Sequence, residues 1–147
     1  MHPIARALEA LFEKHSWRYE KRDENYYDFT FNCDVNRFNL YALIGTYVNT
    51  LSIYVHMPFQ VPATRMTEIA ELISRINYNM TLGNYELDFH DGEILFKVSQ
   101  SFSLHEPHPD EIMILLDCAL TMAQTYFPTF GAVLYGGRSV TEAVQHG

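Results

Sequence analysis

Between Glu68 and Phe102 the chain reads EIAELISRINYNMTLGNYELDFHDGEILFKVSQSF. Apolar residues recur first at helical spacing and then, past Gly83, at every second position. The two periods demand a helix packed by one stripe and a hairpin packed by one face. Met66, Ile69, Ala70, Ile73 and Ile76 form the helical stripe, with Glu71 and Arg75 as a solvated i, i+4 pair. Gly83 suits the left-handed position after a helix. Asp91-Gly92 is a favoured two-residue type I′ turn. It predicts His90 opposite Glu93, Phe89 opposite Ile94, Leu87 opposite Phe96 and Tyr85 opposite Val98. The last three pairs share one apolar face, and Glu86 meets Lys97 across the other.

The flanking segments follow the same logic. Pro3 fits the first turn of a helix ending near His15 or Ser16, with Ile4, Ala7, Leu8, Leu11 and Phe12 on one face. Trp17 and Tyr19 open a short strand. Tyr26 to Asp34 alternates Tyr27, Phe29, Phe31 and Cys33 with Asp28, Thr30, Asn32 and Asp34, a half-buried strand. Asp34 to Arg37 is a turn. Strands at about Phe38–Val48 and Leu51–Met57 join at Asn49-Thr50, and Pro58 and Pro62 bracket the exit. A helix over about Ala63–Asn79 follows. After the hairpin a long helix begins near Asp110, polar only along Asp117, Thr121 and Thr125 and thus buried on most sides. Pro128 kinks or stops it. Ser139-Val140-Thr141-Glu142 is a capping box that starts a short last helix. The order α-ββββ-α-ββ-α-α, with strands joined by hairpins, is an α+β fold. It consists of an antiparallel sheet with helices on one face, in a single domain over residues 1–147.

Ten Tyr and ten Phe favour a large sheet. A net charge of −8 repels phosphate backbones, so nucleic acid is excluded as a partner. The basic residues Arg18, Lys21 and Arg22 are interleaved with Glu20, Asp23 and Glu24. No apolar run reaches the ~18 residues of a membrane span, and no signal-peptide pattern opens the chain. Two cysteines, Cys33 and Cys118, form neither a CxxC pair nor a disulfide framework, which points to a reducing cytoplasm.

Several segments invite a chemical reading. Glu86, Asp88, His90, Asp91 and Glu93 gather carboxylates and an imidazole at a hairpin, but a hairpin tip lacks the pocket that acid–base work needs. His90, His105 and His108 are the candidates for the alternative, a metal- or small-ligand-dependent sensor or enzyme. Pro107 and Pro109 deny the two loop histidines a helical spacing that would aim both at one ion. Gly131-x-x-x-x-Gly136 lacks the lysine and the preceding strand of a phosphate loop. The residues therefore point to no catalytic, cofactor or metal site.

Ile76-Asn77-Tyr78 closing a helix, Leu82-Gly83-Asn84-Tyr85-Glu86-Leu87-Asp88 opening a hairpin and the turn Asp91-Gly92-Glu93-Ile94 together resemble the bacterial YbjN family. So does Tyr126-Phe127-Pro128 followed by Val133-Leu134-Tyr135-Gly136-Gly137, with Ser139 to Val144 similar to that family's terminal helix. The loop His105-Glu106-Pro107-His108-Pro109 carries no shared motif. The resemblance implies a fold like that of type III secretion chaperones, which are acidic, cytoplasmic, dimeric and bind extended client segments. It also implies a stress-response or sensory-transduction regulator with no catalytic residues.

One pattern points to a contact surface. Phe38, Leu40, Ala42 and Ile44 fill one face of the third strand, yet Tyr41, Leu43 and Tyr47 occupy the other, joined by Tyr54 of the fourth. A face that should meet water is apolar and aromatic, which marks a partner site. Tyr41, Leu43, Tyr47 and Tyr54 are the expected contact residues of a non-enzymatic protein-binding module, expected to be a homodimer.

Overall fold

A computed structural model describes residues 1–34 and 36–145. Helix α1 (Pro3–Lys14) is capped by His2, whose Nδ1 accepts from the Ile4 amide at 3.1 Å. Its stripe Ile4, Ala5, Ala7, Leu8, Leu11 and Phe12 is buried. Ser16, at φ 55, turns the chain into a lead-in where Trp17 meets Phe31 and Tyr19 stacks on Phe12, ring centroids 4.9 and 4.7 Å apart. These two rings were expected within the first strand. The ladder instead begins one residue later, as β1 (Glu20–Asp23), which is exposed throughout.

Strands β2 (Tyr26–Cys33), β3 (Asn36–Gly45) and β4 (Thr50–Gln60) follow as antiparallel neighbours. The turn expected at Asp34–Arg37 is tighter, because Cys33 already pairs with Asn36; Val35 lies outside the described residues. β3 stops at Gly45 rather than Val48, and residues 46–49 form the turn, with Asn49 at φ 48. β4 runs past Pro58, which breaks the ladder between His56 and Gln60, as a residue without an N–H must.

A 3₁₀ turn (Ala63–Arg65) precedes α2 (Met66–Tyr78), which buries Met66, Ile69, Leu72, Ile73 and Ile76. Ala70, expected in that stripe, is only half-buried, and Leu72 takes the place beside Ile73. Strands β5 (Asn84–Leu87) and β6 (Glu93–Ser101) complete a six-stranded sheet of order β1-β2-β3-β4-β6-β5.

The hairpin register differs from the expected one by two residues: Leu87 pairs with Ile94 and Tyr85 with Phe96. Residues 88–92 close a longer loop instead of an Asp91-Gly92 turn. Asp88 Oδ1 accepts from the His90 amide at 2.8 Å, Asp91 Oδ1 from Glu93 at 3.0 Å, and Gly92 N–H donates to Asp88 O at 2.7 Å. These side-chain bonds compete with the two-residue turn and win. A slip of two keeps every residue on its face, so Tyr85, Ile94, Phe96 and Val98 are still buried. Asp88, Phe89 and His90 leave the ladder for the loop, and of the expected apolar pairs only Phe89 loses its place, 63% exposed.

The long helix α3 (Pro109–Leu134) continues through Pro128, and α4 (Val140–Gln145) follows. Asp110, Ile114, Asp117, Thr121, Gln124, Thr125 and Pro128 form its exposed stripe, and the rest faces protein. The Arg65 guanidinium donates to Val133 O and Leu134 O at 2.8 Å each, satisfying carbonyls that the helix end leaves open. Ser139 Oγ accepts from the Glu142 amide at 3.2 Å, as its capping pattern requires.

α1 is tied to the sheet through Glu9, whose carboxylate accepts from Tyr27 Oη, Lys21 Nζ and Tyr19 Oη. Burial pushes this carboxyl up, but the bonds from Tyr27 and Lys21 outweigh it and hold it below its ordinary range. Tyr27, buried and beside a carboxylate, is pushed up to about 12. A group depressed in the folded state stabilises above its unfolded pKa and loses that contribution as pH falls through the folded value. Urea unfolding from neutral to about pH 3 should therefore show an acid loss of stability that Glu9→Gln flattens.

Candidate functional site

Alternation along the strands sorts the sheet into two sides. Phe38, Leu40, Ala42, Ile44, Leu51, Ile53, Val55, Phe96 and Val98 point at the helices and are buried. Among the described residues, no helix lies on the opposite side. Pairing there sets Glu20, Asp28, Tyr41, Tyr54, Lys97 and Asn84 in one row across all six strands. A second row holds Thr30, Asn39, His56, Leu95 and Glu86. A third begins Tyr26, Leu43, Ser52 and Ser99.

The centre of this face is aromatic. Tyr41 and Tyr54 stack with centroids 4.4 Å apart and planes 11° from parallel; Tyr26 and His56 sit 5.5 and 5.1 Å from the Tyr41 ring. Burial, then the neighbouring Tyr54 and Glu93, push the Tyr41 phenol well above its ordinary value, so it stays neutral. Leu43 beside them is 40% exposed.

Charge flanks that centre in compensated pairs. Arg22 bridges Asp28 and Glu20, the latter at 2.8 Å, and Lys97 meets Glu86 at 2.8 Å. His56 Nδ1 lies in hydrogen-bond contact with Glu93 at 3.0 Å. The Lys97–Glu86 contact survives the register slip as a diagonal pair. A groove of about 1260 Å³ crosses the β1–β4 half, its lining including Tyr26, Asp28, Asn39 and His56 but no residue of α3.

The structure thus unites Tyr41, Leu43 and Tyr54 on one open face. Tyr47 is separate: it lies in the turn after β3 and is 97% exposed. Sequence reasoning missed Tyr26, although its position in step with Asp28 and Thr30 already placed it on this side.

The histidine candidates do not converge. His90 sits in the loop before β6 and His105 beyond its far end, with about 30 Å of extended strand between. His105 and His108 serve the start of α3. His108 Nδ1 accepts from the Asp110 amide at 3.1 Å, while Glu111 accepts from the His108 amide and meets His105 Nε2, both at 2.9 Å. Among the described residues, no group of three or more His, Cys, Asp or Glu is placed to hold a metal ion. Cys33 and Cys118 are unpaired and half-buried, and burial raises both thiols. No helix among the described residues is long and apolar enough to cross a membrane.

No curated protein matches the chain. The model of the YbjN family, described as "Putative bacterial sensory transduction regulator", matches residues 5–132. That span takes in all six strands, the open face and nearly all of α3. With this match over most of its length, the chain belongs to the YbjN family.

Proposed function

We propose that the chain is a non-catalytic protein-interaction module of a bacterial regulator, acting in the cytoplasm as a homodimer and binding partners in a chaperone-like way. The observation that carries this reading is the stacked Tyr41–Tyr54 pair, with Tyr26 and Leu43, on a sheet face that no helix among the described residues covers. Tyrosine suits such a role because its ring gains from burial while its hydroxyl finds a polar partner. The charged pairs around it match the polar rim of a protein interface. Two unpaired cysteines support the reducing compartment.

The test replaces the centre by charge. Tyr41→Asp with Tyr54→Asp is expected to weaken self-association or partner capture by at least about tenfold, since it buries carboxylates without partners. Circular dichroism should be unchanged, because both side chains lie off the core. Light scattering for mass and affinity capture from the native host read the two arms. A variant that keeps both the mass and the captured partner defeats the proposal.

A further inference from the structure

We infer that the open sheet face binds a second copy of this chain, the two sheets stacked face to face about a two-fold axis that runs along the strands between β3 and β4. The inference rests on the interaction-module reading and names the occupant of its face. The axis follows from charge. A two-fold axis along the strands lays β3 on β4, β2 on β6 and β1 on β5 of the other copy, at equal height. Tyr41 then faces Tyr54 of the second copy, and Asp28 faces Lys97 of the second copy. Arg22 and Glu86 start from rows on opposite sides of the tyrosines, and their head groups are drawn to the tyrosine row by Asp28 and Lys97. Each Arg22–Asp28 pair thus meets a Lys97–Glu86 pair with alternating signs, once on either side of the tyrosines. The arrangement is self-complementary, as an isologous contact must be.

The rival axis, across the strands along the tyrosine row, fails on the same residues. It sets Asp28 on Asp28 and Lys97 on Lys97, like charges that cost affinity. Charges at the end of the face agree with the first axis. The loop bearing Asp88, Phe89 and Asp91 comes over the corner of the second copy that carries Arg18 and Arg37, cations with no ion pair among the described residues. Stacked sheets tilt by about 30° through their twist, which leaves the central tyrosines in register and shifts the corners by a side-chain length. Six strands span about 24 Å and eight residues about 26 Å, a footprint of about 600 Å² per copy. Both copies together reach about 1,200 Å², the lower bound for stable interfaces.

Reciprocal charge exchange tests the axis. The full chain should sediment at twice the monomer mass at about 50 µM. Asp28→Lys and Lys97→Glu should each raise the dissociation constant at least about tenfold. An equimolar mixture of the two variants should recover the doubled mass, because each copy supplies the charge that the other has lost. The chain carrying both substitutions should recover it too. Should one variant unfold, Arg22→Glu and Glu86→Lys run the same exchange on the same cluster. A wild-type chain at monomer mass, single variants that stay dimeric, or a mixture that stays monomeric overturns the inference. A monomeric wild type that still loses a captured partner on Tyr41→Asp with Tyr54→Asp overturns this inference alone and leaves the interaction-module reading standing.

Discussion

Gly92→Ala is expected to destabilise the chain by about 3 kcal/mol, from a positive φ and a backbone clash that add. Gly92 sits at φ 82, where an L side chain costs about 1–2 kcal/mol. A Cβ there would lie 2.2 Å from Val61 O and 3.0 Å from Val61 N. Neither atom can retreat cheaply, because Val61 is buried and its amide donates to Gly92 O at 3.0 Å. That bond fastens the 88–92 loop to the end of β4. Urea denaturation should show the lower midpoint with an unchanged slope, and Gly137→Ala, which also has a positive φ but an open surrounding, should cost less. Equal losses at both positions would show that the clash contributes nothing.

Asn77→Ala is expected to cost about 2 kcal/mol and to make the chain prone to associate through β5. Asn77 sits near the end of α2, and its amide imitates a neighbouring strand. Nδ2 donates to Tyr85 O at 3.0 Å, and Oδ1 accepts from Tyr85 N–H at 2.9 Å. Those are the outward groups of an edge strand, which otherwise invite another chain. Asn84 Nδ2 also reaches Tyr85 O, at 3.3 Å, so truncation chiefly orphans the amide. The Tyr85 side chain stays anchored, buried and donating to Met122 O at 2.6 Å. Thermal unfolding reads the stability; light scattering at rising concentration reads the association. A variant with wild-type stability would mean that water replaces the amide there.

Most of the architecture was legible because period is a local property. The alternation in β2, the stripe of α1 and the narrow polar line of α3 each state which side must be buried, whatever lies opposite. Element ends were less legible. Tyr47 and Val48 continue the apolar run of β3, yet Gly45 pairs with Thr50 and the turn takes them. In the hairpin, Asp91-Gly92 signals one turn, and the side chains of Asp88 and Asp91 build another. Burial could not arbitrate between two registers that leave every face the same. The pairing of the Asn77 amide with the Tyr85 backbone joins a helix to a strand edge, a contact that no local period announces.

The sequence alone determined the α+β order, the buried side of each element and the aromatic character of the sheet's other side. Those follow from spacing along one chain, where each side chain's direction is set by its own backbone. Tertiary structure alone decided that Tyr26, Tyr41 and Tyr54 meet as one cluster and that His90 stands apart from His105 and His108. It also decided that Asp28 and Lys97 occupy mirrored places in a single row. Such neighbourhoods arise only when strand order and register bring distant segments side by side, and no local period encodes them.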